Sequence, residues 1–156
     1  MRKLSLFAVL LFTFFSCQED VKFNNPSFQG TKDNLFWRAV DSKATIVSGG
    51  LIIEGYTRNE TLTLKTTSPN KNTYSLGINN VNKASYVVTE ASATTAFSTG
   101  TDIGNGTIVI TEYDVANNTV SGTFKFNAEN DDNSSVQPLL NFQYGVFYKI
   151  PIIPIP

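Results

Sequence analysis

The sequence contains no histidine and only one cysteine, Cys17. Without histidine, the commonest general base and the commonest metal ligand are both missing. A single thiol allows neither an intrachain disulfide nor a thiolate zinc site. Serine and threonine are plentiful, but no imidazole exists to activate them as nucleophiles. Charge is sparse too, at 16% of residues. With Arg2 and Lys3 set aside, 10 basic side chains face 13 acidic ones, a net charge of about −3. That balance argues against nucleic acid, where clustered Lys and Arg must neutralise phosphates, so no nucleic-acid partner is expected. It also argues against a basic patch for a membrane surface. Gly100, Gly104 and Gly106 lack the strand–loop–helix setting and the lysine of a phosphate loop. No catalytic residue, metal or cofactor is expected from these counts.

Long apolar runs are confined to the N-terminus. Residues 1–16, MRKLSLFAVLLFTFFS, have the parts of a secretory signal: Arg2 and Lys3, then an apolar run from Leu4 to Phe15 broken by Ser5 and Thr13. A helix over that run rises about 18 Å, well short of the roughly 30 Å hydrocarbon core, so it reads as a signal and not a stable span. Ser16 followed by Cys17 resembles the bacterial lipobox, in which the cysteine sulfur receives diacylglycerol and the chain is cut before it. Phe14 stands where leucine is usual and Phe15 where a small residue is usual. Aromatic variants of this kind resemble those of Bacteroidota lipoproteins. The resemblance implies lipidation of Cys17 and an exported chain anchored in a membrane, expected to be the outer membrane, on its periplasmic or surface face. Each buried acyl CH₂ contributes roughly 0.8 kcal/mol, so two or more chains anchor stably where one is marginal. Residues 17–26 then form a lipidated tether. Its Gln18, Glu19 and Asp20 resemble a surface-export signal and equally fit a solvated spacer.

The remainder, residues 27–150, reads as one domain. A chain of this size buries roughly 68% of its unfolded surface, enough for a core without staples. Short apolar runs separated by turn residues predict an all-β fold, a single antiparallel β-sandwich or barrel-like domain behind the signal peptide. The clearest hairpin spans 106–126: Ile108 and Ile110 alternate with threonines and valine, Val120, Phe124 and Phe126 answer them, and residues 114–118 supply the turn. A second pair is 50–56 with 61–67, around Arg58, Asn59 and Glu60. Further strands are expected near 27–31, 35–47, 73–78, 84–90, 94–98 and 138–150. Ala84, Val87, Val88 and Ala91 also fit a helical stripe, but the β-branched YVVT favours a strand. In the last strand, Leu140, Phe142, Tyr144, Val146, Tyr148 and Ile150 share one phase, with Gly145 on the other marking a bulge or a close backbone approach. The Pro-rich tail, 151–156, lacks the donors of a central strand and leaves two alternatives, packing on the domain's edge or hanging free.

Several residues are candidates for chemistry. Glu54 and Glu112 sit inside strands, and Glu112 shares the phase of Ile108 and Ile110. Two inward carboxylates about 5–10 Å apart are the minimum for a glycosidase, though solvated strand carboxylates are the favoured reading. Glu129, Asp131, Asp132 and Asn133 offer the oxygens a calcium ion takes, but without the glycine and closing glutamate of an EF-hand loop. A solvated hairpin loop is favoured there. Trp37 and Tyr56 have flat faces that suit a sugar, yet aromatics in a β domain are mostly core.

Taken in order, LFWRA (35–39), GLIIEG (50–55), TYSLG (73–77), GTIVITEYD (106–114), TVSGTFKF (119–126) and FQYGVFYKI (142–150) resemble a family of small Bacteroidota lipoproteins carrying a domain of unknown function. The resemblance implies a cell-envelope β-sandwich or barrel-like domain and no catalytic residues. The expectation is a membrane-anchored cell-envelope lipoprotein, held through lipid on Cys17. Its domain would be a non-catalytic binding or interaction module for an envelope protein, glycan or small ligand. The alternatives are a carboxylate-dependent glycan hydrolase using Glu54 and Glu112, or a structural envelope component.

Overall fold

The computed structural model describes residues 27–154. The expected signal peptide, Cys17 with its tether, and the last two residues of the tail lie outside the described residues. Eleven strands follow one another without a helix among the described residues: β1 (Ser27–Lys32), β2 (Leu35–Arg38), β3 (Asp41–Val47), β4 (Gly50–Tyr56), β5 (Glu60–Thr66), β6 (Asn72–Leu76), β7 (Lys83–Thr89), β8 (Thr94–Ser98), β9 (Asn105–Asp114), β10 (Thr119–Asn130) and β11 (Leu139–Pro151). The ambiguous YVVT stretch is strand β7, as its β-branched residues favour.

The strands form one antiparallel sheet curled into a half-barrel, in the order β2-β1-β11-β10-β8-β7-β5-β4-β3. Strand β10 is 12 residues long and, with β11 along one side, serves two partners along the other. Its first part, from Thr119 to Asn127, pairs with β9, while Glu129 and Asn130 pair with β8. Strand β6 then adds to β9 as a side branch. The β9–β10 hairpin turns where Asp114 accepts hydrogen bonds from the Asn117 backbone and side chain, with Asn118 at φ 50°.

The tail packs on the domain's edge. Ile152 forms a parallel bridge with Ala44 of β3 and packs against the core. The two residues between Pro151 and Pro154 keep their N–H groups, and both are used: Ile152 donates to the Asn118 carbonyl and Ile153 to the Ala44 carbonyl. The tail thereby joins the last strand to β3, the far edge of the sheet.

The last strand departs from simple alternation. Leu140 and Phe142 are buried, but Tyr144, Val146 and Tyr148 face outward, and Phe147 and Ile150 return to the core. Against β10, three residues of β11 span two of its partner at two places, between Phe142 and Gly145 and between Phe147 and Ile150. Each extra residue reverses the phase. Tyr144 (φ 51°) and Lys149 (φ 49°) take the left-handed backbone at these bulges. Gly145 marks the first of them: a Cβ there would meet the Phe124 ring at 2.5 Å. The shared inward phase expected for Tyr144, Val146 and Tyr148 is therefore corrected by the two bulges.

The inner face is an aromatic core. Trp37 meets Phe28 and Phe142 edge-on at 5.7 and 5.6 Å, and Phe28 meets Phe124 at 5.4 Å. Phe126 and Tyr86 close on Phe142 at 5.2 and 5.7 Å. Such edge-on and tilted ring contacts add to the area term that drives burial of each ring.

Candidate functional site

The two strand glutamates do not converge. On β4, Ile53 and Gly55 face the core, which turns Glu54 outward, 3.6 Å from the half-exposed Lys43. On β9, Thr111 is an extra residue between the Ile110–Gly122 and Glu112–Ser121 pairs. That bulge reverses the phase after Ile110, so Glu112 is exposed and the inward position expected from alternation is corrected. Its carboxylate lies within 3.4 Å of the Ser121 hydroxyl.

The acidic loop is held by its own hydrogen bonds. Asp131 accepts from the Ser98 hydroxyl at 2.9 Å, and Asp132 accepts from the backbone and hydroxyl of Ser134. The carboxylate of Glu129 takes the Gly104 backbone N–H at 3.1 Å. These contacts hold the β10–β11 connection against β8 and the β9 approach. Among the described residues, no three carboxylates, cysteines or histidines group as a metal site.

Trp37 is buried, which removes it from any exposed sugar platform, while half-buried Tyr56 carries the Lys43 ammonium 5.6 Å above its ring. The indole N–H of Trp37 donates to Glu60 at 2.7 Å. Glu60 also takes Lys32 at 2.8 Å and the Thr57 hydroxyl at 3.2 Å. Lys32 in turn donates to the Tyr86 hydroxyl at 2.6 Å. The cluster ties β1 and β2 to β5 and β7 across the half-barrel. Burial alone would raise the Glu60 pKa, but the hydrogen bonds from Lys32, Tyr86 and Trp37 outweigh it, and the carboxyl is held below its ordinary value. Burial, helped by the Glu60 charge, pushes the Tyr86 phenol well up. The sequence signal for this cluster was the buried indole: a core Trp needs an acceptor. Nothing in spacing pointed to Glu60, which reads as part of a turn. All five polar groups are partnered within the cluster, so it is a structural tie.

The outer face of β9, β10 and β11 carries a different arrangement. An open groove of 660 Å³ runs over it, lined by Thr107 and Val109 of β9, Thr123 and Lys125 of β10, and Gln143, Tyr144 and Val146 of β11. The pairings Thr123–Val109, Thr123–Val146 and Lys125–Thr107 set these side chains in rows across the three strands. The β11 bulge lifts Tyr144 out of the sheet, 85% exposed, at the groove wall. A smaller hollow of 190 Å³ shares Lys125 and Gln143 and continues to Asn105 and Asn127. There the Asn141 side chain donates to Asn127 at 2.5 Å, and Asn127 donates to Asn105 at 3.0 Å. None of these groove residues was singled out from sequence as a site residue, because alternation placed Tyr144 in the core.

A bulky residue at positive φ costs about 1–2 kcal/mol relative to ordinary backbone. Here that cost accompanies full exposure of an aromatic ring. Lys149 takes the same backbone at the second bulge, and at the first it sets the Tyr144 ring beside the groove.

Comparison with known proteins gives a family. Residues 24–151 match the family described as "Domain of unknown function (DUF6252)", and the chain belongs to that family. No curated protein and no solved structure matches the chain.

Proposed function

We propose that this member of the family is a lipid-anchored cell-envelope protein, tethered through Cys17. Its β domain binds a partner through the groove over β9–β11 and catalyses no reaction. The observation that carries the binding reading is Tyr144, held at φ 51° by a bulge and 85% exposed on the wall of a 660 Å³ groove. An enzyme would need converging acid and base groups, and the groove wall offers hydroxyls, an amide, one ammonium and a phenol. The anchor reading rests on the charged, apolar and Ser16–Cys17 pattern of the first 17 residues. Between the anchor and Ser27 the tether reaches at most about 35 Å when extended, which keeps the groove near the membrane.

The anchor is tested by metabolic labelling with palmitate in the source cells. The wild-type chain takes up label and sediments with membranes. Cys17→Ser takes up none and leaves the membrane fraction. Label persisting in Cys17→Ser would refute the anchor assignment.

A further inference from the structure

We propose that the groove over β9–β11 binds an uncharged oligosaccharide, with the ring of Tyr144 stacked on a sugar face. The proposal rests on the groove reading above and deepens it by naming the ligand class.

The lining decides the class. Thr107, Thr123 and Gln143 offer hydroxyl and amide groups, each able to donate and accept, which suits the paired hydroxyls of a pyranose. Asn105 and Asn127 extend the same chemistry along the sheet. Tyr144 is exposed on the groove wall, and Val109 and Val146 in the same lining add apolar surface for the apolar side of a sugar. No carboxylate lines either hollow, and Lys125 is the one cation in both. A nucleic acid or highly sulfated chain needs several cations along its path. An acyl chain needs an enclosed apolar cavity, and this groove is open to solvent with Lys125 on its floor.

The position within the sheet removes the other common occupant. Extended peptides bind β proteins by adding a strand to a free edge, where backbone groups are open. Along the groove floor, β10 has β9 on one side and β11 on the other. Its backbone groups are engaged in the ladder, so only side chains read the ligand. From Thr123 to Asn127 the floor runs five residues, four steps of strand or about 13 Å, the length of a short oligosaccharide.

The test titrates the purified full chain, by calorimetry, with the hexasaccharides of cellulose, laminarin, mannan, xylan, amylose and chitin, and with a heparin hexasaccharide. At least one neutral sugar is expected to bind. Tyr144→Ala is expected to weaken that binding about tenfold or more. Tyr56→Ala, on β4 and outside the groove, is expected to leave it within about twofold. Tyr144→Gly should lose binding to the same extent while keeping the wild-type urea midpoint or raising it, because glycine suits the positive φ. This separates loss of contact from loss of fold. The proposal is overturned if no neutral hexasaccharide binds, if binding survives Tyr144→Ala, or if the heparin fragment binds more tightly than every neutral sugar. If a cross-linker at position 144 captures a partner in cells while no sugar binds, the glycan assignment fails and the groove reading stands. Failure of both removes both.

Discussion

Replacing Glu60 by glutamine isolates what the buried polar tie contributes to folding. The carboxylate receives Lys32 at 2.8 Å and the Trp37 indole at 2.7 Å, and the Lys32 and Glu60 side chains are 22% and 18% exposed. An amide oxygen can still accept from Trp37. What Glu60→Gln removes is the negative charge, leaving a mostly buried ammonium with only the Tyr86 hydroxyl as acceptor. Orphaning one partner of a fully buried pair costs about 3–5 kcal/mol. With a fifth of each side chain still in water and one hydrogen bond retained, about 2 kcal/mol is expected here. For a domain of this size that lowers Tm by roughly 7 °C. The comparison within the same molecule is Glu54→Gln, whose Lys43 partner is 3.6 Å away and 42% exposed. That pair is screened by solvent, so Glu54→Gln is expected to leave the midpoint close to the wild-type value. Urea unfolding followed by fluorescence reads both, because Trp37 is the single tryptophan and sits in the tie. Adding Lys32→Met to Glu60→Gln should recover part of the loss, since the stranded charge goes with it. Equal midpoints for Glu60→Gln and Glu54→Gln would mean that the buried tie contributes no more than the exposed pair.

Further outcomes follow from the same contacts. Because Glu60 is held below its ordinary carboxyl pKa in the folded state, its contribution is complete above the unfolded value and is lost as pH falls through the folded one. Stability measured by urea midpoints should therefore decline on the acid side, and Glu60→Gln should flatten that limb. Gly145→Ala places a Cβ 2.5 Å from the Phe124 ring and is expected to cost about 1–3 kcal/mol by thermal melting. An unchanged Tm would contradict the close approach at the bulge. Ile153→Pro removes the N–H that binds Ala44 and should destabilise by about 1 kcal/mol, with earlier proteolysis of the tail. A tail that only hangs from the domain would show neither effect.

The strands were legible because alternation over short runs leaves few other readings: GLIIEGY is buried at Leu51, Ile53 and Gly55, as period two requires. Phase over longer runs was not. A bulge adds one residue without changing composition, so Tyr144, Val146 and Tyr148 read as inward until the register against β10 is known. The same single-residue slip at Thr111 turned Glu112 outward. Gly145 was the one local sign of the bulge, and it fixed neither direction nor consequence. The tie at Glu60 was illegible for a different reason. Its partners stand 28 and 23 residues away in sequence, at Lys32 and Trp37, and only the curl of the sheet brings them together. The groove depends on three strands in a particular register with one extra residue, and that information is tertiary.

Photo-cross-linking in the source cells shows whether a partner sits against Tyr144. A benzophenone amino acid is placed at position 144, and in a second strain at Ile78, which is 67% exposed and outside the groove. A discrete cross-linked product is expected from position 144 and is missing from position 78. The same product at both positions, or none at 144, would contradict the groove reading.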